Sequence, residues 1–304
     1  MEKYSIYKDL CKLITSDRVK IDEPMRYHTS FRIGGPADVM VLPKNVDEIK
    51  KVVNYCSPRK IPIFVMGNGT NLLVRDKGIR GVVIKIAQNF NDITVEGRTI
   101  KAKAGVLLSA VAKSALENSL TGLEFASGIP GTLGGAIIMN AGAYDGEMAK
   151  VVKEVMVMDF NGEICSMKNE ELEFSYRWCK LQTGGKIVLE AKLELDPGIY
   201  EEIKRKMDEF AKKRKMKQPL NMPSAGSTFK RPLGNYAGFL IEKAGLKGYK
   251  IGDAKVSELH AGFIVNTGNA TAQDVLNLIQ IIQNKVKEEF GILLEPEIKV
   301  VGEG

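Results

Sequence analysis

The chain has 304 residues, 44% of them hydrophobic and 27% charged, with a formal net charge of +7. A chain this long and this apolar can bury more than one core, which points to about two domains and excludes a disordered or fibrous protein. The charge itself excludes little, because residues 204–217 hold eight Lys and Arg against Asp208 and Glu209 and so carry nearly all of the +7.

The first 25 residues include Glu2, Lys3, Lys8, Asp9, Lys12, Asp17 and Arg18. They therefore lack the apolar core of about 7–15 residues that a signal peptide needs. No apolar run approaches the roughly 20 residues of a membrane span. A cytoplasmic protein with no membrane partner is expected. Cys11, Cys56, Cys165 and Cys179 form no CxxC pair, and only His28 and His260 could supplement them. Reduced thiols and no metal site follow as expectations.

Behind Asn45, the apolar residues Ile49, Val52, Val53 and Cys56 recur at helical spacing, and Pro58 stops the helix. A short buried strand follows from Ile61 to Met66, then Gly67-Asn68-Gly69-Thr70-Asn71, then a β-rich run from Leu72 to Ile86. Two glycines let backbone N–H groups crowd around a phosphate, and the Asn and Thr side chains add donors. This is no Rossmann fingerprint, because Leu72 stands where the third glycine belongs and strand follows instead of helix. No Gly-Lys-Ser/Thr ends it, which excludes a P-loop. An ordinary turn between strands is the competing reading.

A second unit is expected from about Ile93 to Asp196. It begins with a strand pair and a helix that carries Leu108, Val111, Ala112, Ala115 and Leu116 on one face. Gly128, Gly131, Gly134, Gly135, Gly142 and Gly146 then fall within nineteen residues, with Asp145 the one charged residue among them. Ile129, Leu133, Ile137, Ile138 and Met139 favour burial, so the stretch is no solvated linker. It reads as backbone packed around a large flat or polyanionic ligand, with close strand-on-strand packing as the alternative. Val151 to Phe160 reads as a strand entering the Asn161-Gly162 turn. Arg177, in Phe174-Ser175-Tyr176-Arg177-Trp178, is a cation in an apolar and aromatic neighbourhood, either a structural ion pair or a ligand group. Pro197-Gly198 reads as a boundary.

The third unit opens with the basic segment, where Ile203, Met207, Phe210 and Arg214 fall at helical spacing. A solvated helix face is the first reading and attraction of anionic phosphates the second. No nucleic-acid fold surrounds it, so nucleic acid is not an expected partner. Ser227 lies in Pro223-Ser224-Ala225-Gly226-Ser227-Thr228-Phe229-Lys230, as a turn or cap serine unless it reacts. Helices are expected near Tyr236 to Ala244 and from Thr271 to Phe290. In the latter, Thr271 and Asp274 form a capping box, and Val275, Leu278, Ile279, Ile282, Val286 and Phe290 form the stripe. Gly291 closes it. In the last strand, alternation puts Glu295, Glu297 and Lys299 on one face and Leu294, Ile298 and Val300 on the other.

Six segments, in this order, resemble the UDP-N-acetylenolpyruvoylglucosamine reductases over almost the whole chain. They are His28-Thr29-Ser30-Phe31-Arg32-Ile33-Gly34-Gly35, Gly67-Asn68-Gly69-Thr70-Asn71-Leu72-Leu73, Gly128-Ile129-Pro130-Gly131 through Asn140-Ala141-Gly142-Ala143-Tyr144, Ser175-Tyr176-Arg177, Ala225-Gly226-Ser227-Thr228-Phe229-Lys230 and Leu294-Glu295-Pro296-Glu297-Ile298. Any one motif is weak, while the set is specific. The resemblance implies an α+β chain. After an N-terminal segment, 1–30, comes a two-lobed FAD-binding domain of the vanillyl-alcohol-oxidase-like (PCMH) type, 31–196, with lobes of about 31–86 and 87–196. A C-terminal α+β substrate-binding domain, 201–304, follows. It also implies non-covalent FAD held by Arg32, Ile33, Gly67, Asn68, Gly69, Thr70, Asn71, Leu72, Gly128, Ile129, Pro130, Gly131, Gly134 and Gly135. NADPH is the implied co-substrate and a UDP-sugar the implied substrate. The length resembles the shorter class of these reductases, which lacks an inserted loop with a substrate-clamping tyrosine, so another group must close the site. A monomer is expected.

Carried over position by position, the family's catalytic arginine, serine and glutamate fall on Arg177, Ser227 and Glu297. The implied reaction passes a hydride from NADPH, by way of the flavin, to the methylene carbon of an enolpyruvyl ether. Arg177 and a protonated Glu297 would meet the negative charge that develops toward the carboxylate. Ser227 would protonate the neighbouring carbon, with Lys230 or Lys217 steadying its alkoxide. Tyr176, Lys217 and Lys230 are the implied substrate contacts. Arg231 stands where some members have asparagine, and Lys299 where some have arginine. Glu295 shares a strand face with Glu297, which leaves the glutamate open by two residues. Two rivals stand beside this reading. One is an FAD oxidase of the same fold acting on a hydroxy acid or alcohol, although neither His28 nor His260 lies in a glycine loop to tether a flavin. The other is a nucleotide-binding regulatory module.

Overall fold

The computed structural model describes residues 2–304, and these form two compact units. The first comprises the chain up to Ile21, Val39–Asn68 and Gly81–Arg214, and the second Asp22–Asp38, Gly69–Arg80 and Lys215–Gly304. Each has its own apolar core. Leu10, Ile49, Ile84, Val111, Val155 and Leu189 belong to the first, and Phe31, Leu73, Ile241, Val275, Ile282 and Leu294 to the second. The units therefore do not follow the chain order in which residues 31–196 form one domain. Phe31, Ile33 and Leu73 are buried in the second core, so the short segments that carry them group with the C-terminal residues by packing.

In the first unit the helix Val46–Cys56 begins where expected, because the Asn45 side chain accepts the Glu48 N–H at 2.9 Å. Its stripe buries Ile49, Val52, Val53 and Cys56. An N-terminal helix, Lys3–Leu13, buries Ile6 and Leu10, two positions too few to stand out by periodicity alone. Residues 19–21, 39–41 and 81–85 lie side by side, and the last of these pairs in parallel with Ile63–Met66. Val82, Val83 and Ile84 are fully buried there, the continuous apolar run of a strand covered on both faces.

The larger sheet of this unit is five-stranded and antiparallel, in the order Ile164–Lys168, Val152–Asp159, Lys186–Glu194, Thr99–Lys103, Ile93–Glu96. Glu190 is buried on it and neutralised by Lys101 at 3.1 Å and Lys103 at 2.8 Å. The basic helix runs from Tyr200 to Lys217, and its buried residues Ile203 and Met207 pack in the first core. Placement of this helix wholly with the C-terminal part is thereby corrected, since its apolar stripe decides where it belongs.

The second unit holds a three-stranded antiparallel sheet, Lys250–Ile251, Ala254–Val256 and Ile264–Asn266. The helix Ala272–Phe290 has the expected capping box of Thr271 with Asp274, the expected buried stripe, and Gly291 in the left-handed conformation at its end. The Asp76 carboxylate also accepts the N–H groups of Ala272 at 2.8 Å and Gln273 at 3.1 Å, which neutralises the positive end of the helix. Of the expected last strand only Lys299–Val301 forms a continuous strand, in parallel with Leu72–Val74. Leu294 and Ile298 are buried as alternation requires, but Val300 is exposed, because this short pair leaves it no covering layer.

Candidate active site

In the first unit the two glycine-rich segments meet. A Cβ built on Gly67 would lie 2.2 Å from Thr132 Oγ1, and one on Gly134 would lie 2.9 Å from the Ala104 Cβ. Both positions exclude a side chain by steric contact, not by torsion. The glycine-dense stretch, for which sequence offered strand-on-strand packing as the alternative to a ligand cradle, contains a helix, Leu133–Ile138, capped by Thr132. Gly134 lets that helix approach the strand end at Ala104. The Leu133 and Gly134 N–H groups are taken by the carbonyls of Val106 and Ala104 at 2.8 and 2.9 Å. Those of Asn68, Gly128, Gly131 and Thr132 have no acceptor among the described residues. Backbone N–H groups left without partners in a glycine cradle suit a polyanion, so the residues present fit the pyrophosphate of FAD.

Arg177 lies at the tip of a two-residue turn closed by reciprocal Ser175 and Trp178 backbone bonds of 3.0 and 3.1 Å. Its φ is +55°, a left-handed conformation that disfavours a side chain. Its Nη2 donates to the Gly142 carbonyl at 3.0 Å, and its guanidinium lies 4.9 Å from the centre of the Tyr176 ring. Tyr176 itself is exposed. The next turn of the glycine-dense stretch, Tyr144-Asp145, has φ of +49° and +66°. The Tyr144 ring stacks on Phe210 of the basic helix with centroids 4.2 Å apart.

In the second unit Ser227 lies on an extended segment bridged to Phe263, and its hydroxyl has no hydrogen-bond partner among the described residues. It caps nothing. The same segment pairs with the one that carries Glu297: Phe229 bridges Pro296, Glu297 N–H donates to the Thr228 carbonyl at 2.8 Å, and Lys230 N–H to the Glu295 carbonyl at 2.8 Å. Ser227 and Glu297 are thus one residue out of register on neighbouring segments. Glu295 is exposed and ion-paired with Lys230 at 2.6 Å, whereas Glu297 is half-buried. Asn71 donates through Nδ2 to the Glu297 carbonyl at 3.1 Å, and its own carbonyl accepts Lys299 N–H. That side chain, expected at the cofactor, is tied to the glutamate segment. Ser30 N–H donates to the Gly69 carbonyl at 3.2 Å, which sets the segment of Arg32 and Ile33 against the loop. Arg32 is exposed with φ +55°.

Two residues passed over by sequence reasoning belong beside these. Arg214 packs its side chain on Gly128, where a Cβ would lie 2.8 Å from its Cδ. Burial pulls its pKa below the ordinary guanidinium value, with Tyr144 acting the other way. No group among the described residues accepts from it or pairs with it. Its place in the apolar stripe of a basic helix was the available signal. His260 accepts the Gly262 N–H on Nδ1 at 3.1 Å, while the Gly262 carbonyl accepts the Thr228 N–H, next to Ser227. Burial holds the imidazole below its usual pKa.

Two family models match the chain: an FAD binding domain over residues 37–168, and the C-terminal domain of UDP-N-acetylenolpyruvoylglucosamine reductase over residues 218–301. The chain is 58% identical over 294 residues to the UDP-N-acetylenolpyruvoylglucosamine reductase of Caldanaerobacter subterraneus, covering 97% of each chain. It is 52% identical over 303 residues to that of Alkaliphilus oremlandii, covering 100% of each. Among solved structures, it matches the crystal structure of UDP-N-acetylenolpyruvylglucosamine reductase from Thermus caldophilus. That match has a TM-score of 0.80 and 38% identity over 93% of this chain and 98% of that one.

Proposed function

The chain belongs to the UDP-N-acetylenolpyruvoylglucosamine reductase family, and from that premise we propose how its residues divide the reaction between them. The enzyme is an FAD-dependent oxidoreductase of α+β fold with a PCMH-type flavin domain. It reduces UDP-N-acetylglucosamine enolpyruvate to UDP-N-acetylmuramate for peptidoglycan synthesis, with NADPH as reductant. Bound FAD supplies the two-electron chemistry that side chains cannot.

The N–H groups of Asn68, Gly128, Gly131 and Thr132 hold the FAD pyrophosphate, helped by Gly67, Gly69, Thr70, Leu72 and the 128–135 segment, with Arg32 and Ile33 beside that loop. Residues 31–196 carry the cofactor functions together with Arg177 and Tyr176, and 201–304 the other substrate functions. Arg177 and a protonated Glu297 are the groups assigned to the charge that develops on the substrate carboxylate. Ser227 Oγ donates the proton to the carbon next to the one reduced. Its uncommitted hydroxyl, on a segment paired with that of Glu297, is the observation that carries this reading. Lys217 steadies the resulting alkoxide, because Lys230 is already neutralised by Glu295 while the charge of Lys217 acts on His260, on the stretch that bridges Ser227 at Phe263. Lys230 and Tyr176 serve as substrate contacts.

No helix among the described residues is long and apolar enough to cross a membrane. A cytoplasmic monomer that binds no nucleic acid is part of the same proposal. The match of residues 218–301 to the reductases' own C-terminal domain favours the reductase over an oxidase built on the same flavin fold. Anaerobic absorbance separates the two. NADPH should bleach the purified yellow protein, and the enolpyruvate should restore its colour. Restoration by oxygen alone would make it an oxidase, and a protein that stays colourless with added FAD would end the flavoenzyme reading.

A further inference from the structure

Arg177 is held in its left-handed conformation, φ +55°, by more than its own turn. Gln182 Nε2 donates to the Arg177 carbonyl at 2.9 Å and also to the Ile138 carbonyl at 2.8 Å. Ile138 ends the short helix that starts in the glycine-rich stretch. Asn140, fully buried and itself at φ +39°, donates through Nδ2 to the Ser175 carbonyl at 2.9 Å and accepts Ala149 N–H on Oδ1 at 2.9 Å. The Gly142 carbonyl takes the guanidinium. Two amide side chains therefore fasten both the entry and the tip of the Arg177 turn to the end of the glycine-rich helix. An arginine in a left-handed turn carries a torsional cost, and it persists only where its surroundings over-determine it.

We propose that Asn140 and Gln182 are positioning residues for Arg177, setting the direction of its guanidinium toward the substrate carboxylate and tying that direction to the segment that holds FAD. The proposal rests on the role given to Arg177 above. Neither amide reaches the reacting atoms; each acts through the turn. Misplacing a charge-stabilising group by about 1 Å costs on the order of 100-fold in rate, so the loss of one amide should be felt in the substrate step and not in the cofactor step.

The test uses FAD-loaded enzyme carrying Gln182→Leu, with Gln182→Glu as an isosteric second variant that cannot donate, and Asn140→Gly, which keeps the left-handed torsion. In each, the FAD content and the rate of bleaching by NADPH should stay within about twofold of the parent. Recovery of colour with the enolpyruvate should slow by about 10–100-fold, and calorimetric binding of UDP-N-acetylmuramate should weaken. In an Arg177→Ala background, Gln182→Leu should add no further loss, because a residue that acts through Arg177 has nothing left to position. The inference is overturned if Gln182→Leu slows both half-reactions alike, leaves recovery at the parental rate, or adds its full loss on top of Arg177→Ala. If Arg177→Ala alone leaves recovery unchanged, the role of Arg177 itself fails.

Discussion

Gly67 shows how little room a single position can have. A Cβ there would meet Thr132 Oγ1 at 2.2 Å, and Thr132 caps the glycine-rich helix, so neither partner can move freely. Gly67→Ala should lower stability by about 1–3 kcal/mol and weaken FAD retention, measured by the ratio of flavin to protein absorbance after gel filtration. Unchanged retention would detach this loop from the cofactor. Ser227 is the opposite case, since its hydroxyl has no hydrogen-bond partner among the described residues. Ser227→Ala should leave folding and bleaching by NADPH intact while lowering turnover by about 100- to 10,000-fold, the range for loss of a general acid. His260 titrates in the same unit. Its pKa is lowered by burial and by Lys217 and Lys247, against Glu242 and its own backbone bond. The unfolded chain takes up the proton first as pH falls, so the stability this residue contributes is full above its ordinary pKa of about 6.5 and declines below it. His260→Gln should flatten that decline in urea midpoints compared between pH 8 and pH 5.5; parallel losses would point to another group.

Among the elements, the helix Ala272–Phe290 was the most legible in sequence, because its cap, stripe and closing glycine all lie within reach of local pattern. Thr271→Ala removes one of the two bonds of the box, that from Asp274 N–H to Thr271 Oγ1 at 3.0 Å, and leaves the Asp274 carboxylate accepting the backbone N–H of residue 271 at 2.9 Å. The expected cost is about 1 kcal/mol, read as a lower urea midpoint with turnover unaffected. The Asp76 carboxylate on Ala272 and Gln273 should keep the helix from fraying, so a loss several times larger would mean that the box also supports the loop before it. The helix Leu133–Ile138 was illegible for the reason that makes it useful. Gly134 and Gly135 are poor helix formers, and only contact with Ala104 and capping by Thr132 make helix the stable choice.

At the scale of the whole molecule, ligand binding and folding are linked. FAD that binds only the folded protein stabilises it by about 2.7 kcal/mol at a hundredfold excess over its dissociation constant. The apoprotein should therefore melt at a lower temperature than the FAD-loaded enzyme, with a midpoint that rises with added FAD in scanning calorimetry. A midpoint indifferent to FAD would show that the cofactor does not contribute to stability. By itself the sequence determined the cap at Asn45, the stripes of the long helices, both glycine loops, and the set of motifs that carry Arg177, Ser227 and Glu297. Those depend on residues within a turn or a strand of one another, where spacing is information enough. Only the tertiary structure decided that Phe31 and Leu73 join the C-terminal core, that Asn71 holds the Glu297 carbonyl, that Arg214 packs on Gly128, and that Gln182 ties the Arg177 turn to Ile138. Each of these is a contact between residues far apart in the chain, chosen by burial and by the need of buried polar groups for partners, and no local pattern records it.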